Sequence, residues 1–355
     1  MSQKLAERSS AWAPLAAVVL CALVPQPAGA QPSPGGRAAG MADAFVAVAD
    51  DGSAVYWNPA GLVFGPLFNL QVGLGTHDRN SDGAQANTSP AQGSAALVAI
   101  GVPPLGLSYY RLRSTEVGAP GPAGDGQRGR EREWRTLHTL TTHNVGVTVL
   151  QSVGERLTVG ATAKLIVATA GSAIVDASGV TVADGLNDAE ALGTTRHVRG
   201  DVDAGLMADF GRLRVGLVGR HLTAPEFDLH DVGSVQRVAG GTGTARLGRE
   251  ARLGLAWGSG WPGRARAIVA LDADLTRRVT STTTRRDVAA GVETWWRDAR
   301  LGVRGGVRAS TVGETGAVVT GGASLAVTAG IFVDGHVAVG QEDLRGWGVG
   351  ARVVF

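Results

Sequence analysis

The sequence contains a regular series of segments, each with one apolar and one polar side, whose connections alternate between short and long. This series limits the possible folds more than any other feature. From residue 67 onward, apolar residues recur at every second position, as in Leu157, Val159 and Ala161, with small or charged residues between them. A period of two favours β-strands over helices. It predicts an all-β chain in which each strand has one apolar face.

The pattern predicts about fourteen strands, an even number, as single-chain bacterial outer-membrane barrels require. The predicted strands are 67–76, 95–102, 105–114, 136–150, 157–169, 199–210, 213–221, 249–258, 265–277, 286–296, 299–308, 317–328, 331–340 and 346–355.

The connections favour a membrane barrel over a soluble β-sandwich. Those at one end include the tight turns Pro103-Pro104 and Gly211-Arg212, whereas the other end has long polar loops such as 170–198 and 222–248. Short periplasmic turns and longer extracellular loops are typical of an outer-membrane barrel, and a sandwich has no reason to sort its loops in this way. We therefore predict a transmembrane antiparallel β-barrel over residues 67–355.

Tight turns also predict which charged residues face one another across a hairpin. A two-residue turn pairs positions whose numbers have a constant sum. Charges on the lipid face would cost about 2–4 kcal/mol each near the midplane, so we expect the charged face to line the lumen. The predicted lumen pairs are Asp209 with Arg214, Asp203 with Arg220, and Asp287 with Arg308.

The first thirty residues resemble an export signal. Lys4 and Arg8 precede an apolar stretch at 11–24, which is followed by the small-residue cleavage pattern Ala28-Gly29-Ala30. We expect a signal peptide over residues 1–30. A membrane anchor is the alternative, but the apolar run is short for a spanning helix.

Composition excludes several classes of protein. Glycine supplies 53 of 355 residues, about twice the usual share, which suits a glycine-rich β protein and excludes a soluble helical bundle. The formal net charge of +2 gives no basic excess that would attract nucleic acid. The one cysteine, Cys21, lies in the export segment, so the mature chain has no disulfide or thiol chemistry to offer.

No pattern typical of an enzyme is present. The seven histidines lie mostly in predicted loops or near strand ends, and none has metal-ligand spacing with another histidine. Asp272 and Asp274 stand two positions apart on one strand face, which favours a place in the lumen wall. We expect no catalytic activity, no metal and no cofactor.

Residues 31–66 form a compact apolar segment ahead of the first strand. Its alanine-rich stretch Met41–Ala49 suits a short helix, and Ser53 is placed to cap a second one over Ala54–Trp57, which Asn58-Pro59 would end. A barrel of this size leaves an interior to fill. We expect the segment to plug the lumen.

The same segment carries a resemblance to a known family. Over residues 36–62 it is similar to the N-terminal signature of the FadL-type superfamily, which contains long-chain fatty acid and hydrocarbon transporters and the PorV-type proteins of type IX secretion. The residues that carry the resemblance are Gly40, Met41, Phe45, Asp50, Asp51, Trp57, Asn58, Pro59, Ala60 and Gly61.

The resemblance implies an outer-membrane barrel with an N-terminal hatch in its lumen, and it places Asn58, Pro59 and Ala60 in a turn of that hatch. At Ala42-Asp43 the chain departs from the two glycines common in such proteins. The terminal Phe355 resembles the C-terminal assembly signal of bacterial outer-membrane proteins. That signal implies the barrel assembly machinery as a partner, and outer-membrane lipids as the surroundings.

Two functions follow as expectations. The first is passive transport of small hydrophobic molecules, fatty-acid-like or hydrocarbon-like, past a rearranging hatch. The second is a PorV-like scaffold that transports nothing and binds a secretion-system protein or its cargo. The polar, glycine-rich loops suit the second as well as the first.

Overall fold

The structure is a computed structural model that describes residues 33–79, 91–120, 134–176, 196–228, 230–231, 244–259, 267–279, 284–296, 300–313, 316–341 and 343–355. The expected signal peptide at residues 1–30 lies outside these ranges. Within them, no helix has the length and apolar character needed to cross a membrane.

Fourteen antiparallel strands form a closed barrel, as the sequence predicts. The wall strands are β1 (Asn69–Arg79), β2 (Ala91–Val102), β3 (Leu105–Pro120), β4 (Trp134–Val153), β5 (Leu157–Asp176), β6 (Arg196–Asp209), β7 (Leu213–Arg220), β11 (Glu250–Gly258), β12 (Ala267–Asp274), β15 (Asp287–Trp296), β16 (Leu301–Ser310), β17 (Ala317–Thr328), β18 (Ile331–Gly340) and β19 (Leu344–Val354).

Short strands in the connections at the long-loop end complete the numbering. They are β8 (Glu226–Asp228), β9 (His230–Asp231), β10 (Thr244–Arg246), β13 (Arg278–Val279) and β14 (Thr284–Arg285). The strand β8 pairs with β10, β13 pairs with β14, and β9 runs parallel to the end of β5.

The barrel closes where its first and last strands meet. Asn69 of β1 lies opposite Gly101 of β2 on one side and Val354 of β19 on the other. Just beyond this ladder, the Phe68 amide donates to the Phe355 carbonyl at 2.9 Å and the Phe355 amide donates back to Phe68 at 3.1 Å. The two rings stack with centroids 4.7 Å apart. Phe355 therefore lies at the seam of the closed sheet.

Some strands run further than the apolar alternation predicts. β4 and β5 each have 20 residues, whereas a membrane crossing needs about 9–11. Their outer ends are rich in threonine, serine and alanine, so the apolar period fades there while backbone pairing continues as far as Trp134 opposite Asp176. These two strands consequently project beyond the membrane on the long-loop side.

Side-chain exposure divides the wall into an outer apolar face and an inner polar one. Along β4, Val145, Val147 and Val149 are each about half exposed, whereas Asn144 and Thr148 between them are buried. The exposed set forms the lipid-facing belt expected of a membrane barrel. The buried set faces the lumen.

The register between β15 and β16 differs from the prediction. Trp296 pairs with Leu301, so four residues connect the strands rather than the two of Arg297-Asp298. The index sum rises by two as a result. Asp287 lies opposite Ser310 and Arg308 lies opposite Ala289, so the predicted pair between Asp287 and Arg308 is wrong.

The turn between β6 and β7 has the predicted register, with Asp209 opposite Arg214. The Arg214 Nε donates to Asp209 at 3.1 Å. The ladder ends at Ala204 opposite Gly219, and the ion pair predicted between Asp203 and Arg220 does not form.

The segment ahead of β1 folds as three short helical pieces inside the barrel. They are α1 (Gly36–Gly40), α2 (Ala54–Trp57) and a 3-10 helix (Pro59–Phe64). The prediction of a helix over Met41–Ala49 is wrong: the chain makes turns there, because Ala42 and Asp43 take positive φ angles that end α1. The Ser53 hydroxyl donates to Asp51 at 2.6 Å instead of capping α2.

Glycines in the wall allow the hatch to pack directly against the strands. A methyl group built on Gly306 would overlap the Met41 carbonyl, and one on Gly291 would lie 2.7 Å from the Met41 oxygen. Side chains larger than hydrogen would push the hatch backbone off the wall. The wall glycines within such close reach of the hatch are Gly101, Gly106, Gly160, Gly205, Gly216, Gly254, Gly291 and Gly306.

We expect Gly306→Ala to destabilise the folded barrel by about 1–3 kcal/mol, because the added methyl overpacks a rigid backbone contact. Gly321→Ala on the neighbouring strand is the matched control, since a methyl group there meets nothing within 4 Å. Urea unfolding in detergent, followed by tryptophan fluorescence, measures both. Equal midpoints for the two variants would contradict the close packing of hatch and wall.

Candidate functional site

The lumen is filled by the N-terminal segment, which we call the hatch (residues 33–66). Met41, Phe45, Val48 and Trp57 are all buried at 2% exposure or less. Their apolar side chains form one core with inward residues of the wall such as Leu97. The candidate site is therefore the contact between hatch and wall, because any passage through the barrel requires it to change.

Arg37 makes the most highly charged of these contacts. Its guanidinium donates to Glu293 of β15 at 2.6 and 3.0 Å, to Asp50 at 2.6 Å and to Asp51 at 3.0 Å. Burial opposes its charge, but Glu293 and Asp50 hold the pKa of Arg37 well above its ordinary value. Arg37 thus remains charged and joins both halves of the hatch to the wall.

A second anchor comes from the wall inward. The Asp272 carboxylate of β12 accepts the backbone amides of Phe45 and Val46 at 2.9 and 3.0 Å. Arg252 of β11 donates to Asp272 at 3.3 Å and to the Asp43 carbonyl at 3.0 Å. Asp272 and Arg252 together hold the turns that follow α1.

Asn58 holds the turn that the family resemblance singles out. Its side-chain amide donates to the carbonyls of Val46 and of Leu206 in β6, at 3.0 and 3.1 Å, and its oxygen accepts the Ala60 amide at 3.2 Å. Pro59 begins the 3-10 helix immediately afterwards. A methyl group on Gly61 would overlap the Ala49 carbonyl, so this turn requires glycine.

Aromatic contacts hold the middle of the hatch. The Trp57 indole donates to the Pro34 carbonyl at 2.8 Å, and its ring meets Phe45 edge to face at 6.3 Å between centroids. Arg220 of β7 lies over the Tyr56 ring at 4.5 Å and pairs with Glu250 of β11 at 3.0 Å. Arg220 therefore contacts the hatch rather than its predicted partner Asp203.

Asp203 of β6 pairs with a residue of β5, on the side away from β7. Lys164 of β5 lies 2.6 Å from Asp203 and 3.2 Å from Asp201, and His221 lies 2.8 Å from Asp201. The two carboxylates and the imidazole bring their atoms within 4.8 Å of one another, as ligands of a metal would. The Lys164 ammonium already supplies the positive charge at this position, so the group is a buried ion-pair cluster of the wall.

Ala42 and Asp43 of the hatch have left-handed backbone conformations, with φ of 53° and 69°. Asp43 accepts a hydrogen bond from Ser33 at 2.9 Å and forms an ion pair with Arg308 of β16. Arg308 thus contacts the hatch instead of Asp287, which pairs with Arg285 at 3.1 Å.

A small cavity of about 50 Å³ lies beside these residues. It separates the hatch from the wall at β1, β2 and β16–β19, and polar side chains border it, among them Asp43, Arg308 and His336. An apolar cavity that holds benzene is about 150 Å³. The cavity is too small to hold even a molecule of the size of benzene.

The long-loop end of the lumen is covered by a second apolar contact. Phe227 of β8 is fully buried against Ile166 and Ala168 of β5, with Leu140 and Leu247 packed alongside. Ile166 and Ala168 share the inward face of β5 with Lys164. The described part of the connection between β7 and β11 therefore packs on the inner face of β5, and we call its Phe227 contact the cap.

The structure brings the sequence-selected hatch residues into one body, with Gly40, Met41, Phe45, Asp50, Asp51, Trp57, Asn58, Pro59, Ala60 and Gly61 inside the barrel. Sequence reasoning missed Arg37, Glu293 and Phe227. It placed Asp272 in the lumen wall, but the hydrogen bonds of Asp272 to hatch amides leave no pattern in the sequence.

Comparison with solved structures identifies proteins of similar architecture. CymD, a monoaromatic hydrocarbon channel, is 15% identical with a TM-score of 0.59 over 90% of this chain and 97% of its own. The toluene transporter TbuX of Ralstonia pickettii is 13% identical with a TM-score of 0.55, over 90% of this chain and 96% of its own. The chain has the fold of a FadL-type outer-membrane channel.

A FadL homologue of Pseudomonas aeruginosa is similar to the same extent, at 13% identity and a TM-score of 0.55 over 92% of this chain and 99% of its own. A family model described as "F plasmid transfer operon, TraF, protein" matches residues 140–274, less than half of the chain. No curated protein sequence matches this chain.

We expect Arg37→Ala to loosen the hatch, because three carboxylates lose their shared partner. Breaking a buried ion pair on one side costs about 3–5 kcal/mol. Hydrogen–deuterium exchange of hatch peptides at 41–49 should rise while peptides of β18 and β19 stay protected.

Arg246→Ala is the control for this experiment, because Arg246 and Glu226 form an exposed pair of the kind that contributes about 0–1 kcal/mol. Unchanged exchange at 41–49 in Arg37→Ala would show that Arg37 is not an anchor of the hatch.

We expect Ala42→Gly to stabilise the protein by about 1 kcal/mol, since a non-glycine residue in the left-handed region costs about 1–2 kcal/mol. Ala44→Gly, at a position without a positive φ, should destabilise it instead. Urea midpoints of the two variants against the parent chain test the difference in sign.

Proposed function

We propose that the protein is a channel for small hydrophobic molecules, hydrocarbon-like or fatty-acid-like, in the outer membrane. The observation that carries the proposal is a fold similar to hydrocarbon channels over nine-tenths of the chain. The lipid-facing belt and the filled lumen both agree with a channel that is closed at rest.

The contacts of the hatch define what transport would need. The cavity beside the hatch holds about 50 Å³, which is less than a small aromatic solute occupies. A solute can therefore pass only if the cap opens and the hatch moves. Buried apolar contacts such as Phe227 on Ile166 offer surfaces that an apolar solute would cover once exposed.

A scaffold that transports nothing and binds a secretion-system protein or its cargo is the second candidate. The match of residues 140–274 to a protein of the F plasmid transfer operon favours it. The matched residues include most of β4 and all of β5, the two 20-residue strands that project beyond the membrane. A projecting sheet of this kind offers a surface for a protein partner.

A disulfide that locks the hatch separates the two functions. Cβ atoms at Gly36 of α1 and Asp334 of β18 would lie 3.5 Å apart, within the range of disulfides. The chain's one cysteine, Cys21, lies in the expected signal peptide, so Gly36→Cys with Asp334→Cys should form one specific link. For a channel, we expect uptake of labelled toluene and oleate to be lost on oxidation and restored by reductant.

The measurement uses cells with an intact outer membrane, because the lipopolysaccharide of that membrane is the barrier to apolar solutes. The cells' own FadL-type channel is deleted. The single variants Gly36→Cys and Asp334→Cys control for the loss of each side chain. Uptake no faster than in cells without the protein would refute the channel. A stoichiometric protein companion captured by crosslinking in such cells would then favour the scaffold.

A further inference from the structure

The outer, lipid-facing surface of the barrel carries one concentrated group of basic side chains. We call it the basic patch, and it consists of Arg111, Arg113, His143 and Arg196. Along β3, Leu107 and Tyr109 are exposed by 55% and 39% on the outer face, whereas Tyr110 is buried at 2% against Tyr56 of the hatch. The alternation of the strand puts Arg111 and Arg113 on the outer face as well.

Strand register brings the patch together across the four adjacent strands β3 to β6, of which β5 contributes no basic residue. Arg111 lies opposite His143 of β4. One step further out, Arg113 lies opposite Thr141, Thr141 opposite Thr169 of β5, and Thr169 opposite Arg196 of β6. With strands about 4.8 Å apart, the patch is roughly 14 Å wide.

The patch lies at the outer boundary of the apolar belt. Below it, toward the short turns, the same face carries Leu107, Val145 and Val147, all about half exposed. Tyr109 lies at the border, and its hydroxyl is 2.9 Å from His143 Nδ1. An aromatic residue with its polar end directed outward is typical of the membrane–water interface.

Among the side chains that the structure describes, the rest of the wall has no comparable surface. The outward positions of β7, β11, β12 and β15–β18 carry no charged residue. On β19, the outward Arg345 lies opposite Asp78 and within 3.7 Å of Asp343, so acids accompany it. Among the described residues, no carboxylate forms an ion pair with Arg111 or Arg196.

We propose that the basic patch binds the phosphorylated sugar headgroup of a glycolipid in the outer leaflet. Arg111 and Arg196 have no carboxylate partner among the described residues, and arginine in that state at the membrane edge pairs with anionic headgroups. The planar guanidinium of arginine binds phosphate through two hydrogen bonds. A width of roughly 14 Å matches a disaccharide with a phosphate at each end better than a single phosphate. Lipid A has this chemistry.

The test is native mass spectrometry of the purified full-length protein in detergent with added diphosphoryl lipid A. We expect the parent to retain lipid A, and the triple variant Arg111→Gln, Arg113→Gln and Arg196→Gln to bind it at least tenfold more weakly. Arg196→Gln alone, at an exposed site, should weaken binding about three- to fivefold. Arg345→Gln is the matched control and should bind as the parent does.

Two further arms identify the ligand chemistry. Monophosphoryl lipid A should bind more weakly than the diphosphoryl form, and millimolar inorganic phosphate should not displace it. Equal binding by the parent and both patch variants would overturn the proposal, as would displacement by free phosphate, which would indicate a simple anion site. Heat-modifiable migration on gels identifies any variant whose barrel has not folded, and Arg196→Gln then decides the result.

Discussion

The arrangement depends on close contact between the hatch backbone and the glycines of the wall. Polar backbone groups buried in a lumen need hydrogen-bond partners, and they reach Asp272 and Asn58 only because glycines such as Gly216 and Gly254 leave room. Eight strand glycines therefore serve the contact with the hatch rather than a turn. Charged anchors act within this space, and Arg37 joins Glu293 in it.

Much of the architecture follows from the sequence alone. Period-two alternation and unequal loops give the closed barrel of fourteen strands, since lipid on one side and a polar lumen on the other impose that pattern. The resemblance over residues 36–62 selects the segment that occupies the lumen. The turn at Gly211-Arg212 even gives the partner of Asp209, because a two-residue hairpin leaves one register.

The failures have a common physical origin. An inward side chain has two neighbouring strands and a hatch to choose from, whereas hairpin arithmetic considers one neighbour. Arg220 therefore lies over Tyr56 and Arg308 reaches Asp43, at sequence separations that no local pattern records. The helix expected at Met41–Ala49 failed because Ala42 and Asp43 adopt a conformation for which neither residue type is the usual signal.

The seam between β1 and β19 has a consequence for how the molecule comes into being. The hatch leads into β1 through a few residues after the 3-10 helix, and β1 pairs with the last strand of the chain. A body packed this tightly cannot be inserted through a finished ring whose wall contacts it on most sides. Assembly must wrap the sheet around a hatch that is already in place, with the terminal strand as the last closure.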